Sequence, residues 1–191
     1  MMNKKADTGI GTLILFIAMI LVAAIAAGVL IQTATSLQNK ALLTGDRTKG
    51  QVSTSMSVLL IYAEDGSTGN YVNNFSMKLK LSPGSDPIKL NDTLIEVDLS
   101  DSSSDLTYDP LVTCPTSTAG NFSVEYLVQG SDYSEHYLHR GDIIKLCFQA
   151  PRAVLADEDI AIRIIPKVGT PTVIETATPE VINQRRSYIF P

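Results

Sequence analysis

The order of hydrophobic and polar positions divides the chain into two regions. From Ile10 to Ile31 apolar residues run on with only Gly11, Thr12 and Gly28 between them, and no charged side chain lies between Thr8 and Asn39. A helix of that composition has no polar face, so it needs apolar surroundings on every side. Its reach at 1.5 Å per residue is about 33 Å, enough to cross the hydrocarbon core of a bilayer. Helix-compatible residues continue through Gln32 to Leu43, and Thr44-Gly45-Asp46 reads as a stop. The pattern therefore predicts one helix over 8–44 and a short hinge over 46–51.

Beyond the hinge the period changes to two. Phe75, Met77, Leu79 and Leu81 alternate with Ser76, Lys78 and Lys80, and Ile95, Val97 and Leu99 with Glu96 and Asp98. Phe122, Val124, Tyr126 and Val128 alternate with Ser123 and Glu125, with Leu127 breaking the rule. Ile144, Leu146 and Phe148, and then Ile160, Ile162 and Ile164, repeat the pattern, and Met56 to Ala63 is a more continuous apolar strand. Strands with one buried and one wet face alternate in this way. Turn signals at Asp65-Gly66, Pro83-Gly84, Asp109-Pro110, Gly130-Ser131, Arg140-Gly141-Asp142 and Pro151 separate them. The expected fold class is α+β: a long hydrophobic N-terminal α-helix followed by an immunoglobulin-like antiparallel β-sandwich.

Charge and cysteine content narrow the function classes. The net charge is −5, but residues 1–50 carry Lys4, Lys5, Lys40, Arg47 and Lys49 against Asp7 and Asp46, which leaves −8 on the remainder. An acidic domain repels a phosphate backbone, so no nucleic-acid partner is expected. Cys114 and Cys147 fit no CxxC spacing. They are either a single disulfide of an extracellular domain or two buried free thiols.

Candidate chemistry is sparse. His136 and His139 form an HxxH, with only Asp132 and Glu135 nearby to complete a zinc site, and solvated surface histidines are the expectation. Asp98, Asp101, Asp105 and Asp109 among serines read as a flexible acidic loop rather than a calcium site. Asp157-Glu158-Asp159 reads as a solvated turn. The chain contains no GxSxG, HExxH or GxxxxGK[ST] pattern, so no catalytic residue, metal or cofactor is assigned, and a non-enzymatic protein is expected.

The apolar run itself admits several uses. A secretory signal with cleavage near Ala26 has a shorter apolar region than this one. A permanent single-span anchor accounts for the hydrophobicity, and Lys4 and Lys5 would keep the N-terminus cytoplasmic with the acidic domain outside. Fourteen large apolar side chains lie between Ile10 and Ile31. Exposing them to water would cost on the order of 20–40 kcal/mol, so the chain would exchange lipid only for another apolar environment. Ala18, Ala23, Ala24, Ala26, Ala27 and Gly28 would let copies of the helix approach closely in such a medium.

The junction Lys4-Lys5-Ala6-Asp7-Thr8-Gly9-Ile10-Gly11-Thr12-Leu13-Ile14 resembles archaellins, the type IV pilin-like filament subunits of archaea. The C-terminal stretches Pro166-Lys167-Val168-Gly169-Thr170-Pro171 and Thr176-Ala177-Thr178-Pro179 resemble the same family. The resemblance implies a class III signal peptide over 1–6, cut between Ala6 and Asp7 on the cytoplasmic side. Lys4, Lys5 and Gly9 would be the recognised leader positions. Ala6 stands where the family usually has glycine.

The resemblance also implies a helix and hinge over 7–50 that spans the membrane before assembly and fills a filament core afterwards, and an outer domain over 51–191. Ile10, Leu13, Phe16, Ile17, Ile20, Ala24 and Ala27 would form the helix interface. The implied partners are copies of this chain and related archaellins, a prepilin-type signal peptidase, and an assembly ATPase with its membrane platform. The implied setting is an extracellular archaellum at the archaeal cell surface, rotated for swimming by a separate motor. An adhesive pilus of the same construction and a membrane-anchored surface protein remain the alternatives. Three Asn-x-Ser/Thr tripeptides start at Asn74, Asn91 and Asn121. The family is commonly N-glycosylated, and Asn91 stands in the most polar surroundings of the three.

Overall fold

The computed structural model describes residues 4–66, 70–114 and 119–190, with side chains from Thr8 onward. Of the expected leader, Met1–Asn3 lie outside the described residues, and Lys4, Lys5, Ala6 and Asp7 are described only as helical backbone. The chain divides into two compact units, 1–48 and 49–191.

Helix α1 (Lys4–Ser53) is 50 residues long. It runs through the expected stop at Gly45 and the expected hinge. One glycine costs a helix about 1 kcal/mol, too little to interrupt a run that contains Ala41, Leu42, Leu43, Arg47 and Lys49. The hydroxyls of Thr44 and Thr48 donate to the carbonyls of Lys40 and Thr44, both at 2.9 Å, and so remain within the helix.

The second unit begins with the last turn of α1. Its sheet strands are β1 (Met56–Ala63), β2 (Tyr71–Leu81), β3 (Ile88–Lys89), β4 (Thr93–Leu99), β5 (Ser103–Tyr108), β6 (Asn121–Val128), β7 (Tyr137–Leu138), β8 (Ile143–Leu155), β9 (Asp159–Pro166), β10 (Thr172–Ala177) and β11 (Ser187–Phe190). Nine of them form one sheet in the order β10-β9-β4-β5-β6-β8-β2-β1-β11, and β3 pairs with β7. All pairs are antiparallel except β5 with β6. The sheet folds over so that its edges meet: Thr176 Oγ1 on β10 donates to the Ile189 carbonyl on β11 (3.0 Å), and Thr172 Oγ1 to that of Met56 on β1 (3.2 Å).

The alternating residues fill the space between the facing halves. Ile95, Val97, Leu106, Ile160, Ile162 and Ile164 from one side join Ile61, Phe75, Met77, Leu79, Ile144 and Phe148 from the other in one buried cluster. Phe75 and Phe148 stack with ring centroids 5.7 Å apart. The irregular Leu127 has a local cause, since the β6–β8 register shifts between Tyr126 and Val128 and leaves Leu127 exposed. A bulge of this kind inserts one residue and reverses the alternation.

The segment read as a flexible acidic loop contains β5. Ser104, Leu106 and Tyr108 face inward while Asp105 faces solvent, so one fully buried leucine, reinforced by pairing with β4, is enough to order it.

Candidate functional site

Two features of the fold bear on function: the exposed helix, and the polar groups of the second unit. Along α1 every described side chain from Thr8 to Lys49 is exposed. Ile10, Leu13, Phe16, Ile17 and Ile20 are each 50–62% exposed, a level at odds with a soluble monomer. Ala24 and Ala27 lie on the same exposed helix.

Between Ile10 and Thr35 each side-chain hydroxyl of the helix is bonded within it. Thr12 donates to the Gly9 carbonyl (3.0 Å), Thr33 to Leu30 (2.9 Å) and Thr35 to Ile31 (2.9 Å). A hydroxyl left unpaired in an apolar medium costs several kcal/mol, so these internal bonds suit the helix to such a medium. A Cβ built on Gly9, Gly11 or Gly28 meets nothing within 4 Å. Nothing within the chain therefore requires glycine there.

Within the second unit, the chain leaves the last helical turn through a dense set of hydrogen bonds. Thr54, 1% exposed, donates its N–H to the Gly50 carbonyl (3.1 Å), and its hydroxyl accepts from the Asp86 N–H (3.2 Å). Its carbonyl accepts from the Thr170 N–H (2.8 Å) and the Thr170 hydroxyl (3.3 Å). Ser85 accepts from the Ser55 N–H at 3.0 Å. Gly169, at φ +124°, comes so close that a Cβ would stand 2.7 Å from the Thr54 oxygen. The tail motif singled out by sequence thus has a structural task, which is to bind the start of this unit.

The remaining candidates separate. Cys114 and Cys147 are joined in a disulfide, with Cα atoms 5.6 Å apart. His136 Nδ1 meets the Tyr108 hydroxyl at 3.0 Å, while the His139 N–H donates to Asp142 Oδ2 at 2.8 Å. Asp98 pairs with Arg163 (2.6 Å), Asp101 with Arg152 (2.7 Å), and Asp109 accepts from the Leu111 N–H (2.9 Å), so these three serve separate local structures, while Asp105 faces solvent. No group of three or more His, Cys, Asp or Glu side chains converges among the described residues.

Glu158 is no solvated turn residue. It is tied to Arg152, and its Oε2 accepts from the Leu155 N–H at 3.0 Å. The Arg152 hydrogen bond holds its carboxyl below the usual glutamate range. Burial pushes the phenols of Tyr108 and Tyr126 up, the latter while it donates to the Tyr137 carbonyl at 2.7 Å. Glu158, Tyr126 and Tyr108 thus each have a structural partner within the second unit.

The three tripeptides differ in setting. Asn91 is exposed in the 3-10 turn Leu90–Asp92. Asn74 and Asn121 are half-buried within strands, and their amides donate to Asp65 Oδ2 (3.1 Å) and Asp109 Oδ2 (3.5 Å).

The family model described as archaeal-type flagellin matches residues 6–176. Flagellin B2 of Halobacterium salinarum is 31% identical, over 97% of this chain and 94% of its own. Flagellin B2 of Methanocaldococcus jannaschii is 32% identical, over 93% and 90%. Among solved structures, the archaeal flagellum of Methanospirillum hungatei aligns with a TM-score of 0.73 at 16% identity, covering 96% of this chain and 99% of that one. The crystal structure of archaeal flagellin FlaB1 from Methanocaldococcus jannaschii aligns at 0.62 and 19% identity, over 71% and 96%.

Proposed function

The chain belongs to the archaeal-type flagellin family and is a structural subunit of an extracellular motility filament, and from that premise we propose that it polymerises through α1. The observation that carries this is the helix: fourteen large apolar side chains exposed on a segment whose hydroxyls are all bonded internally. Before assembly the helix sits in the bilayer with Lys4 and Lys5 on the cytoplasmic side. A membrane peptidase removes Met1–Ala6. An ATPase-driven platform then moves the helix from lipid into the filament core. The transfer is nearly neutral in hydrophobic energy, because each side chain exchanges one apolar neighbour for another. Ile10, Leu13, Phe16, Ile17 and Ile20 supply the packing surface, and Ala24 and Ala27 the close approach between copies. The outer units form the wall, and the chain contributes surface and stiffness rather than a reaction.

N-terminal sequencing of the native protein tests the processing step. Asp7 as first residue is the expected result. Met1 or Met2 would indicate a permanent anchor, and Ala27 a secretory signal; either would exclude this route to a filament. Electron microscopy of cells with and without the gene, scored beside swimming, distinguishes a rotated filament from an adhesive pilus.

A further inference from the structure

Two of the three Asn-x-Ser/Thr tripeptides have the same spelling, Asn-Phe-Ser, and occupy matching positions. Asn74-Phe75-Ser76 lies on β2 and Asn121-Phe122-Ser123 on β6, the two strands that flank β8. Phe75 and Phe122 both pair with Phe148, and Ser76 and Ser123 both pair with Cys147. The phenylalanines point into the core. The serines and the cysteine share the opposite face, yet all three are buried, Ser123 completely and Ser76 to within 2%.

The disulfide accounts for the seal at Ser123. Cys114, in the loop that follows β5, reaches across β6 to bond Cys147 on β8. On the way its sulfur packs 3.6 Å from the Ser123 hydroxyl and 3.8 Å from the Ser123 carbonyl. On the other side the Ser76 hydroxyl stands 3.5 Å from the Cys147 sulfur.

Asn91 differs. Its side chain is exposed on the 3-10 turn; Thr93, two residues on, is only 6% exposed at the first position of β4, but its hydroxyl is held by a local partner, the Lys89 carbonyl four positions back (3.0 Å). Freeing Thr93 asks only the 3-10 turn and the first residue of β4 to open, whereas freeing Ser123 requires a disulfide and a central strand to part. Acceptor tripeptides are read as surface loops, with the hydroxyl available to the enzyme.

We propose that the Cys114–Cys147 disulfide sorts the acceptor sites: Asn91 takes a glycan on the closed domain, and Asn121 accepts one only before the disulfide forms. The transfer consumes a polyprenyl-phosphate-linked glycan. The asparagine Nδ2 bonds to the anomeric carbon and loses one proton to a base of the transferase, while the bond from that carbon to the phosphate oxygen breaks and the lipid phosphate leaves with the electron pair. One N–H remains on Nδ2. At Asn91 the new bulk projects into solvent. At Asn121 it would occupy the approach of Asp109 and Cys114. The proposal rests on the function above only for its outward topology, so its test is made on purified chain, where filament formation plays no part.

The full chain in detergent, with its disulfide verified by mass, is incubated with an archaeal oligosaccharyltransferase and a polyprenyl-phosphate-linked glycan. Occupancy is read site by site by mass spectrometry, with Asn91 as internal reference. The expected Asn121-to-Asn91 ratio is below one tenth in the oxidised chain, rising at least tenfold in Cys114→Ser or after reduction. Equal modification of the two sites in the oxidised wild-type chain would overturn the proposal whatever the variant does, as would an unmodified Asn91 or a ratio unchanged on opening the disulfide.

Discussion

The carboxylate of Asp142 is completely buried, and each of its oxygens receives a backbone N–H: Gly130 at 2.7 Å and His139 at 2.8 Å. It closes the base of the 130–142 loop without a basic partner among these bonds. Gly130 is confined by the same arrangement, since a Cβ there would stand 2.6 Å from the Arg140 carbonyl. Asp142→Ala leaves two buried donors unpaired and should destabilise the β unit by about 3 kcal/mol, read as a lowered denaturant midpoint with helix content otherwise retained. In the sequence Asp142 belonged to a turn signal, Arg140-Gly141-Asp142. The turn was legible because glycine and aspartate favour it locally. The burial was not, because it depends on residues that are distant along the chain.

Among the elements, α1 was the most legible, since its apolar residues need no tertiary information to be recognised. Its end was misjudged because a glycine was weighed as a stop, whereas the helix continues to Ser53, where bonds from Ser85, Asp86 and Thr170 take over the chain. The strands of period two were legible for the same reason as the helix. Strand β5 was hidden because only Leu106 is buried in it, and its order comes from pairing with β4 and β6. The helix also carries a test of assembly. Ala24→Leu adds bulk where copies are proposed to approach, without adding a charge that would impede insertion. Overpacking of about 1–3 kcal/mol per subunit raises the free concentration needed for polymerisation roughly 5- to 150-fold. Membrane fractionation should find the variant inserted and trimmed to Asp7, while electron microscopy finds filaments few or short.

For the whole molecule, ion pairs on the β unit set an acid limit. Arg152 links Asp101 and Glu158, and Arg163 links Glu96 and Asp98. The Glu158 carboxyl is depressed in the folded state, so its contribution is present above the ordinary glutamate value, about 4.3, and is lost as pH falls through the lower folded value. Unfolding followed between pH 6 and pH 2 should show stability falling below about pH 4. In Glu158→Gln the starting stability should be lower and that part of the slope flatter. A variant with an unchanged slope would remove Glu158 from the acid response.

The sequence by itself determined the division into an apolar helix and an acidic β domain and the family resemblance at both ends. These follow from composition and short-range order, which need no partner to be read. Tertiary structure alone decided that the nine strands form one sheet folded over, that Gly169 and Thr170 bind the chain at Thr54, and that the two Asn-Phe-Ser tripeptides flank Cys147 beneath a disulfide. Each joins residues far apart along the chain. Pairing at that range is chosen by the packing of the whole core, and local propensity does not contain it.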